Sequence, residues 1–477
     1  MHHMALRPSS VPQHVPLSSP PTSSLADGPG RESDLLRAAS PTVPQLLATV
    51  ITDPSFESVA ASALVAELVD FAAACRLDYT ASLIAESESG SPPSVGGECA
   101  LGTDVLEDKV KRPSSSPLAF KARYVARGFS QRQGGNFFHT FSPTPKMTTL
   151  RVLLHVAAQR DYEPHSLDFS IAFLQGSFHE EIWLRRPPGF TGSFPACTQW
   201  SLRRPVYSLC QAPCELHDTL MSTLAALGFA PSTTGPSLFL HTDTSLPPFY
   251  VLTYVDDLVF ASADTEALAL VKSELQKRHT CTNLGELRSY LGLQITRDRA
   301  RRTITLTQSH MVHQVLQHFG FQYSSPQSTP LPTGHSLSAL TTNESVERLY
   351  PELVGILMYL MTCTRPDLAY PLSILACYVA PGRHRREHWE AAKRVLRYLC
   401  STSGMGLVLG GRGPVVLTEH AHASWVDDLV TQWSSQGYTF SIGSGSVSWR
   451  STHSSSILCS SCEAEIYAGA MAAQELR

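Results

Sequence analysis

The run Phe249-Tyr250-Val251-Leu252-Thr253-Tyr254-Val255-Asp256-Asp257-Leu258-Val259-Phe260 sets two adjacent acids between two apolar arms. β-Branched and aromatic residues favour strands and Asp favours turns. The run therefore predicts a β-hairpin with Asp256-Asp257 at its tip. Upstream, Met147 to Gln159 reads as a helix, and Ser166 to Leu174 is a second apolar run interrupted by one acid, Asp168. A buried carboxylate is costly unless it is paired or bound to a metal. If these strands are neighbours, three carboxylates converge, and a hard cation such as Mg²⁺ relieves their repulsion. Two such ions on shared carboxylates can activate a 3′-hydroxyl and stabilise a leaving pyrophosphate. The competing reading of Asp256-Asp257 is a plain polar turn; Asp168, upstream in the right order, favours the metal.

The 477 residues allow about three domains at roughly 150 residues each. Charged residues are 16% of the chain, against about 25% in an average globular protein, and the formal charge is −4. That excludes a globally basic nucleic-acid coat and leaves room for a local patch. Residues 117–160 hold seven Lys/Arg and no Asp or Glu, with Phe129, Phe137, Phe138 and Phe141 interleaved. The pattern suits a surface that meets polyphosphate; a solvated face is the alternative.

Eleven cysteines are irregularly spaced, and no apolar segment follows the N-terminus. Free thiols, a reducing compartment and a cytoplasmic or nuclear rather than secreted protein are expected. The early apolar stretch Val59 to Cys75 contains Glu67 and Asp70, so no membrane partner is expected. Cys459-x-x-Cys462 has no second pair at metal spacing. His384-x3-His388 has chelating helical spacing, but Arg383, Arg385, Arg386, Lys393, Arg394 and Arg397 around it favour phosphate contact.

Residues 1–118 read as largely disordered: Pro/Ser-rich at 7–45, short helices at about 46–86, and a Ser/Gly/Pro linker over 87–118. From there the chain resembles the reverse transcriptase region of copia-type LTR retrotransposon polyproteins. The matching segments are Lys-Ala-Arg-Tyr-Val-Ala-Arg-Gly-Phe-Ser-Gln (121–131), Thr-Phe-Ser-Pro-Thr (140–144), Leu-Asp-Phe-Ser-Ile-Ala-Phe-Leu-Gln-Gly (167–176), Pro-Pro-Gly-Phe (187–190), Gln-Ala-Pro (211–213) and Tyr-Val-Asp-Asp-Leu (254–258). Thr-Arg-Pro-Asp-Leu-Ala (364–369) and His-Trp-Glu-Ala-Ala-Lys-Arg-Val-Leu-Arg-Tyr-Leu (388–399) follow.

The resemblance implies an α+β right-hand polymerase with fingers, palm and thumb, followed by an incomplete RNase H-like α/β domain. Fingers and palm would span 119–320, thumb and connection helices 321–408, and the RNase H-like segment 409–477. It gives Asp168, Asp256 and Asp257 the catalytic and metal-ligand roles, with two Mg²⁺ or Mn²⁺ ions as cofactors. Lys121 and Arg123 would grip the incoming triphosphate, and Gln211 would lie near the nucleotide sugar. Phe173 would block a ribose 2′-hydroxyl, with ordinary core packing as its alternative. The implied partners are an RNA or DNA template-primer and dNTPs.

The chain also departs from the family. Ser208 stands for a glycine, Cys210 for a lysine, Cys214 for an arginine and Leu216 for a tryptophan. Charge-assisted contacts contribute about 1.5–3 kcal/mol each, so losing two cations predicts weak or absent polymerase activity. The chain passes from Glu107-Asp108-Lys109-Val110-Lys111 into Arg112-Pro113 without the family's preceding helix and strand, which predicts partly deleted fingers. In the tail, His422 falls on the first RNase H aspartate, Ser424 on the acid before Trp425, and Glu463 on the second carboxylate. Arg477 precedes the later aspartates, so that domain is expected to be inert. The alternative function is a non-catalytic retrotransposon relic that at most binds nucleic acid.

Overall fold

A computed structural model describes residues 103–111, 119–178, 180–185, 199–233, 235–332, 337, 349–380, 382–428, 432–454 and 456–476. The expectations for 7–45, 46–86 and 187–190 lie outside these. The described chain runs β1 (Thr103–Lys111), β2 (Ala119–Ala126), α1 (Met147–Arg160), β3 (Glu163–Phe169), β4 (Trp183–Arg185), β5 (Gln199–Ser201), α2 (Ala212–Ala226), β6 (Phe229–Ser232), β7 (Gly235–His241), β8 (Phe249–Tyr254), β9 (Asp257–Ser262), α3 (Thr265–Arg278), β10 (Cys281–Glu286), β11 (Ser289–Tyr290), β12 (Leu293–Asp298) and β13 (Thr303–Thr307). It continues through α4 (Ser309–His318), α5 (Leu349–Cys363), α6 (Ala369–Ala376), α7 (Arg386–Ser401), β14 (Gly406–Gly410), β15 (Leu417–Ser424), β16 (Ser435–Ile442), β17 (Gly445–His453) and α8 (Ser461–Glu475). Helix and sheet are mixed, as expected for an α+β chain. No helix among the described residues is long and apolar enough to cross a membrane.

The largest sheet has six strands in the order β10-β3-β9-β8-β7-β6. Its centre is apolar on both faces. Tyr250, Leu252, Val259 and Ala261 pack with α1, while Phe249, Val251, Leu258 and Phe260 pack with α2 and α3. Burial on both faces is why the 249–260 run reads as almost continuously apolar. A four-stranded sheet, β11-β12-β13-β14, and a three-stranded sheet, β15-β16-β17, extend the α1 side. Helices α4 to α7 share a separate core around Tyr350, Leu353, Leu357, Leu372, Val395 and Leu399.

The linker expected over 87–118 is overturned over 103–111; the rest of it lies outside the described residues. Thr103–Lys111 is a strand paired antiparallel with β2, and Asp108 registers opposite Lys121 and Leu106 opposite Arg123. The register sets one acid, Asp108, opposite one cation, Lys121. The 384/388 histidine pair also lies inside the helical core. His384 stacks on Tyr350 at 4.9 Å, and the Nδ1 of His388 accepts from the backbone N–H of Arg385 at 2.9 Å, capping α7. Neither is disposed to chelate.

The tail is locked to the centre through two buried polar residues of α1. Arg151 is 4% exposed. Its Nη1 donates to the Val447 carbonyl at 2.5 Å, its Nη2 to the Thr362 carbonyl, and its guanidinium lies 3.9 Å over the Trp449 ring. Burial pulls its pKa down to about 10. One turn on, the Nδ1 of His155 accepts from the Gly410 N–H at 3.0 Å, and burial lowers its pKa to about 4.

The loop between β2 and α1 is clamped against the segment before α2. A Cβ on Gly128 would stand 1.7 Å from the Ser208 carbonyl oxygen, so only glycine fits. Ser208 itself has φ +67°, the left-handed region where a serine is strained and a glycine is not.

Three stability outcomes are expected. A base whose folded pKa lies below its unfolded value is neutral in the fold. The His155 contribution is therefore complete above pH 6.5 and is lost as pH falls through about 4. That amounts to about 3.5 kcal/mol at roughly 1.4 kcal/mol per unit. Urea unfolding of His155→Gln across this range should show a flatter acid limb than the parent; superimposable limbs contradict the assignment. Ser208→Gly should gain about 1 kcal/mol by releasing left-handed strain, and Gly128→Ala should lose stability; a Ser208→Gly protein less stable than its parent refutes the strain argument.

Candidate functional site

The site begins with strand register. β3 pairs antiparallel with β9, and Asp168 stands directly opposite Asp257. Such partners sit about 4.5–5.5 Å apart at Cα with side chains on one face. β8 pairs with β9 so that Tyr254 opposes Asp257. The turn is therefore Val255-Asp256, and Asp257 is the first residue of β9 rather than part of the expected tip. Two-residue connections are the tightest hairpin closures, and this one leaves Asp257 inside the ladder. The Phe169 N–H donates to the Asp256 carbonyl at 2.8 Å, which ties the turn to the end of β3.

Val255 takes φ +54°. A β-branched residue there is a true outlier costing on the order of 1–3 kcal/mol, and such strain gathers at functional sites. On the other flank of β3, Thr282 of β10 opposes Asp168. The neighbouring Cys281 thiol is pushed up to about 11, first by burial and then by the negative charge of Asp168.

Backbone register thus brings Asp168, Asp256 and Asp257 to one end of the sheet. Among the described residues no three His, Cys, Asp or Glu side chains are gathered as a ready ligand cluster. The donor set itself is all carboxylate oxygen, which suits a hard divalent cation rather than a soft one.

The remaining expected site residues divide. Lys121 and Arg123 lie on β2, opposite Asp108 and Leu106 in register. Phe173 sits half-buried in a 3₁₀ turn at Ala172–Gln175, edge-on to Tyr207 at 4.9 Å, between two core clusters. Gln211 is 1% exposed and its amide is fully engaged. Its Oε1 accepts from the Gln131 Nε2 at 2.9 Å, and its Nε2 donates to the Asn136 carbonyl at 3.1 Å and to the Glu180 carboxylate at 2.7 Å. In this arrangement Gln211 is a tie between loops.

The Cys210 N–H donates to the Gln131 Oε1 at 2.8 Å. The Cys214 thiol is raised by burial and then by Asp218, Glu215 and Glu180. An arginine at 214 would neutralise that acidic group; a thiol cannot.

In the tail, Glu463 is a helix cap. Its backbone N–H donates to the Ser460 Oγ at 3.1 Å, and its carboxylate accepts from the Cys459 N–H at 2.6 Å. The carboxylate facing His422 is Glu465, with Oε1 2.9 Å from Nδ1. The expected placement of the second carboxylate at Glu463 is corrected on this geometry. The Ser-x-x-Glu spacing of Ser460 and Glu463 is itself a capping signal that could have separated the two acids.

The sequence is similar to those of known proteins. A family described as reverse transcriptase (RNA-dependent DNA polymerase) matches residues 103–333, so β1 lies inside the matching region. The Pol polyprotein from transposon TNT 1-94 of Nicotiana tabacum is 33% identical over 377 residues, covering 77% of this chain and 28% of its own length. That from transposon RE2 of Arabidopsis thaliana is 32% identical, covering 81% and 26%. The chain thus spans about a quarter of these polyproteins. A transposon Ty5-1 protein of Saccharomyces cerevisiae is 30% identical over 289 residues, 60% of this chain and 92% of that protein. With the ordered motifs and the opposed aspartates, these matches establish that the chain belongs to the reverse transcriptase family of copia-type retrotransposon Pol polyproteins.

Proposed function

We propose that the chain is an RNA-directed DNA polymerase segment that extends a primer 3′-end on an RNA or DNA template, in the cytoplasm or nucleus, with weak activity. The observation that carries this is the register of Asp168 against Asp257 beside Asp256. In this reading the six-stranded sheet with α1 to α3 is the palm, β1 and β2 with the following loop are what remains of the fingers, and α4 to α7 are the thumb and connection. Asp168, Asp256 and Asp257 would hold two divalent cations, which supply charge neutralisation and hydroxyl activation when bound. Lys121 and Arg123 would meet the triphosphate, and Phe173 the sugar.

The weakness follows from positioning. Phosphoryl transfer needs the triphosphate aligned in-line with the attacking hydroxyl and its charge compensated. Cys210 and Cys214 offer no cation, and Cys214 sits among Asp218, Glu215 and Glu180, which repel phosphate. A second reading is a non-catalytic relic that at most binds nucleic acid; that acidic surrounding favours its loss of catalysis, and any binding would fall to the acid-free segment 117–160.

Primer extension on poly(A)/oligo(dT) with Mg²⁺ or Mn²⁺ tests the proposal. We expect slow extension, lost in Asp168→Asn and raised by Cys210→Lys with Cys214→Arg. Rates of about 1–10³ s⁻¹ for the unaltered chain would contradict the weakness; extension that persists in Asp168→Asn would contradict the site. No RNase H activity is expected from the tail, since His422 pairs with Glu465 where a metal site needs carboxylates. Labelled fragments released from an RNA–DNA hybrid by the parent and not by Glu465→Gln would overturn this.

A further inference from the structure

The loop that joins β2 to α1 presents three phenylalanines to solvent: Phe129 is 87% exposed, Phe138 58% and Phe141 76%. Exposed aromatics on a slack loop would mean little. This loop is braced. Gly128 packs on the Ser208 backbone so closely that no Cβ fits. The Ser130 Oγ donates to the Arg127 carbonyl at 2.7 Å, and the Arg132 N–H donates to the Asn136 Oδ1 at 3.0 Å. The Gly134 N–H donates to the Phe137 carbonyl at 2.9 Å. The buried Gln211 amide holds the loop at two points, Gln131 and the Asn136 carbonyl. These bonds set the backbone over 127–137, which carries Phe129 and leads directly into Phe138, and a backbone set in advance loses less freedom on binding.

The charge of the segment selects the partner. Between residues 125 and 146 stand Arg127, Arg132, His139 and Lys146 and no Asp or Glu, in a chain of net charge −4. The order along the loop is Arg127, Phe129, Arg132, Phe137, Phe138, Phe141, Lys146: cations are interspersed with rings. Phosphates meet the cations and nucleobase faces meet the rings. Stacking on aromatic side chains with backbone contact to Arg and Lys is the general mode of single-strand binding, and it is indifferent to sequence. A duplex keeps its base faces covered, so rings of this kind have nothing to stack on there.

We propose that residues 127–146 form a single-stranded nucleic-acid platform in which Phe129, Phe138 and Phe141 stack on unpaired bases, and that Gln211 is the residue that positions it. The proposal deepens the polymerase reading by assigning the place where unpaired strand is held, and it rests on that reading only for the class of partner.

Fluorescence anisotropy of the full chain tests it with three probes of equal length: oligo(dT), an abasic deoxyribose-phosphate oligomer and a blunt duplex. Oligo(dT) should bind at least tenfold more tightly than either other probe. Phe129→Ala, Phe138→Ala and Phe141→Ala should each weaken oligo(dT) binding about 5- to 150-fold and leave abasic binding and its salt slope unchanged. Phe141→Trp should retain affinity and Phe141→Leu lose it, separating stacking from mere apolarity. Arg132→Gln and Lys146→Gln should weaken both oligomers and flatten the salt slope.

The platform is refuted if the triple alanine variant, with melting unchanged, binds oligo(dT) as the parent does, or if the abasic oligomer binds as tightly as oligo(dT). It is equally refuted if the triple variant loses only binding to anionic vesicles or self-association. The two readings fail separately. Stacking with no primer extension removes the polymerase and leaves the platform; extension with no stacking does the reverse.

Discussion

The arrangement depends on one ladder, β3 against β9. Because Asp168 registers with Asp257 and the Phe169 N–H reaches the Asp256 carbonyl, three acids 88 residues apart in sequence (256 − 168) are fixed at one end of a sheet by backbone hydrogen bonds alone. A slip of one residue would send Asp168 to the opposite face. The apolar layers on both sides resist that slip, since Leu167 and Phe169 would trade their core places with Asp168. Strain at Val255 is carried by the same framework.

In the proposed reading the carboxylate end is kept and the nucleotide end is altered. The carboxylates and their register are intact. The neighbouring segment is tied by Gln211 to Gln131, Asn136 and Glu180, and it carries free thiols at Cys210 and Cys214. The tail remains folded onto α1 through Arg151, His155 and Trp449, although His422 and Glu465 now contact each other directly.

The hairpin and the Asp168 strand were legible in sequence because both are apolar runs interrupted only by acids, a pattern with few cheap explanations. The position of the turn was not. Asp favours turns, yet ladder pairing with Tyr254 claimed Asp257 for the strand. The strand at Thr103–Lys111 was hidden because its mixed acids and lysines carry no clear alternation of apolar and polar residues, and its partner β2 is set only by the fold. Gln211 could be found by motif, but its inward tie depends on loops brought together only in the fold. Glu463 and Glu465 differ by two residues, and only the helix cap separates their roles. The buried Arg151 sat within a basic segment and read as surface charge; no local pattern announces an arginine held by two carbonyls and an indole.

The central claim is that Asp168, Asp256 and Asp257 act together as a divalent-cation site. The most direct measurement is a Mn²⁺ titration of the full chain followed by electron paramagnetic resonance, compared with Asp168→Asn and Asp257→Asn. The account predicts saturable binding in the parent that is lost or greatly weakened in each variant, with unfolding curves unchanged. Binding of equal strength in parent and both variants would contradict it.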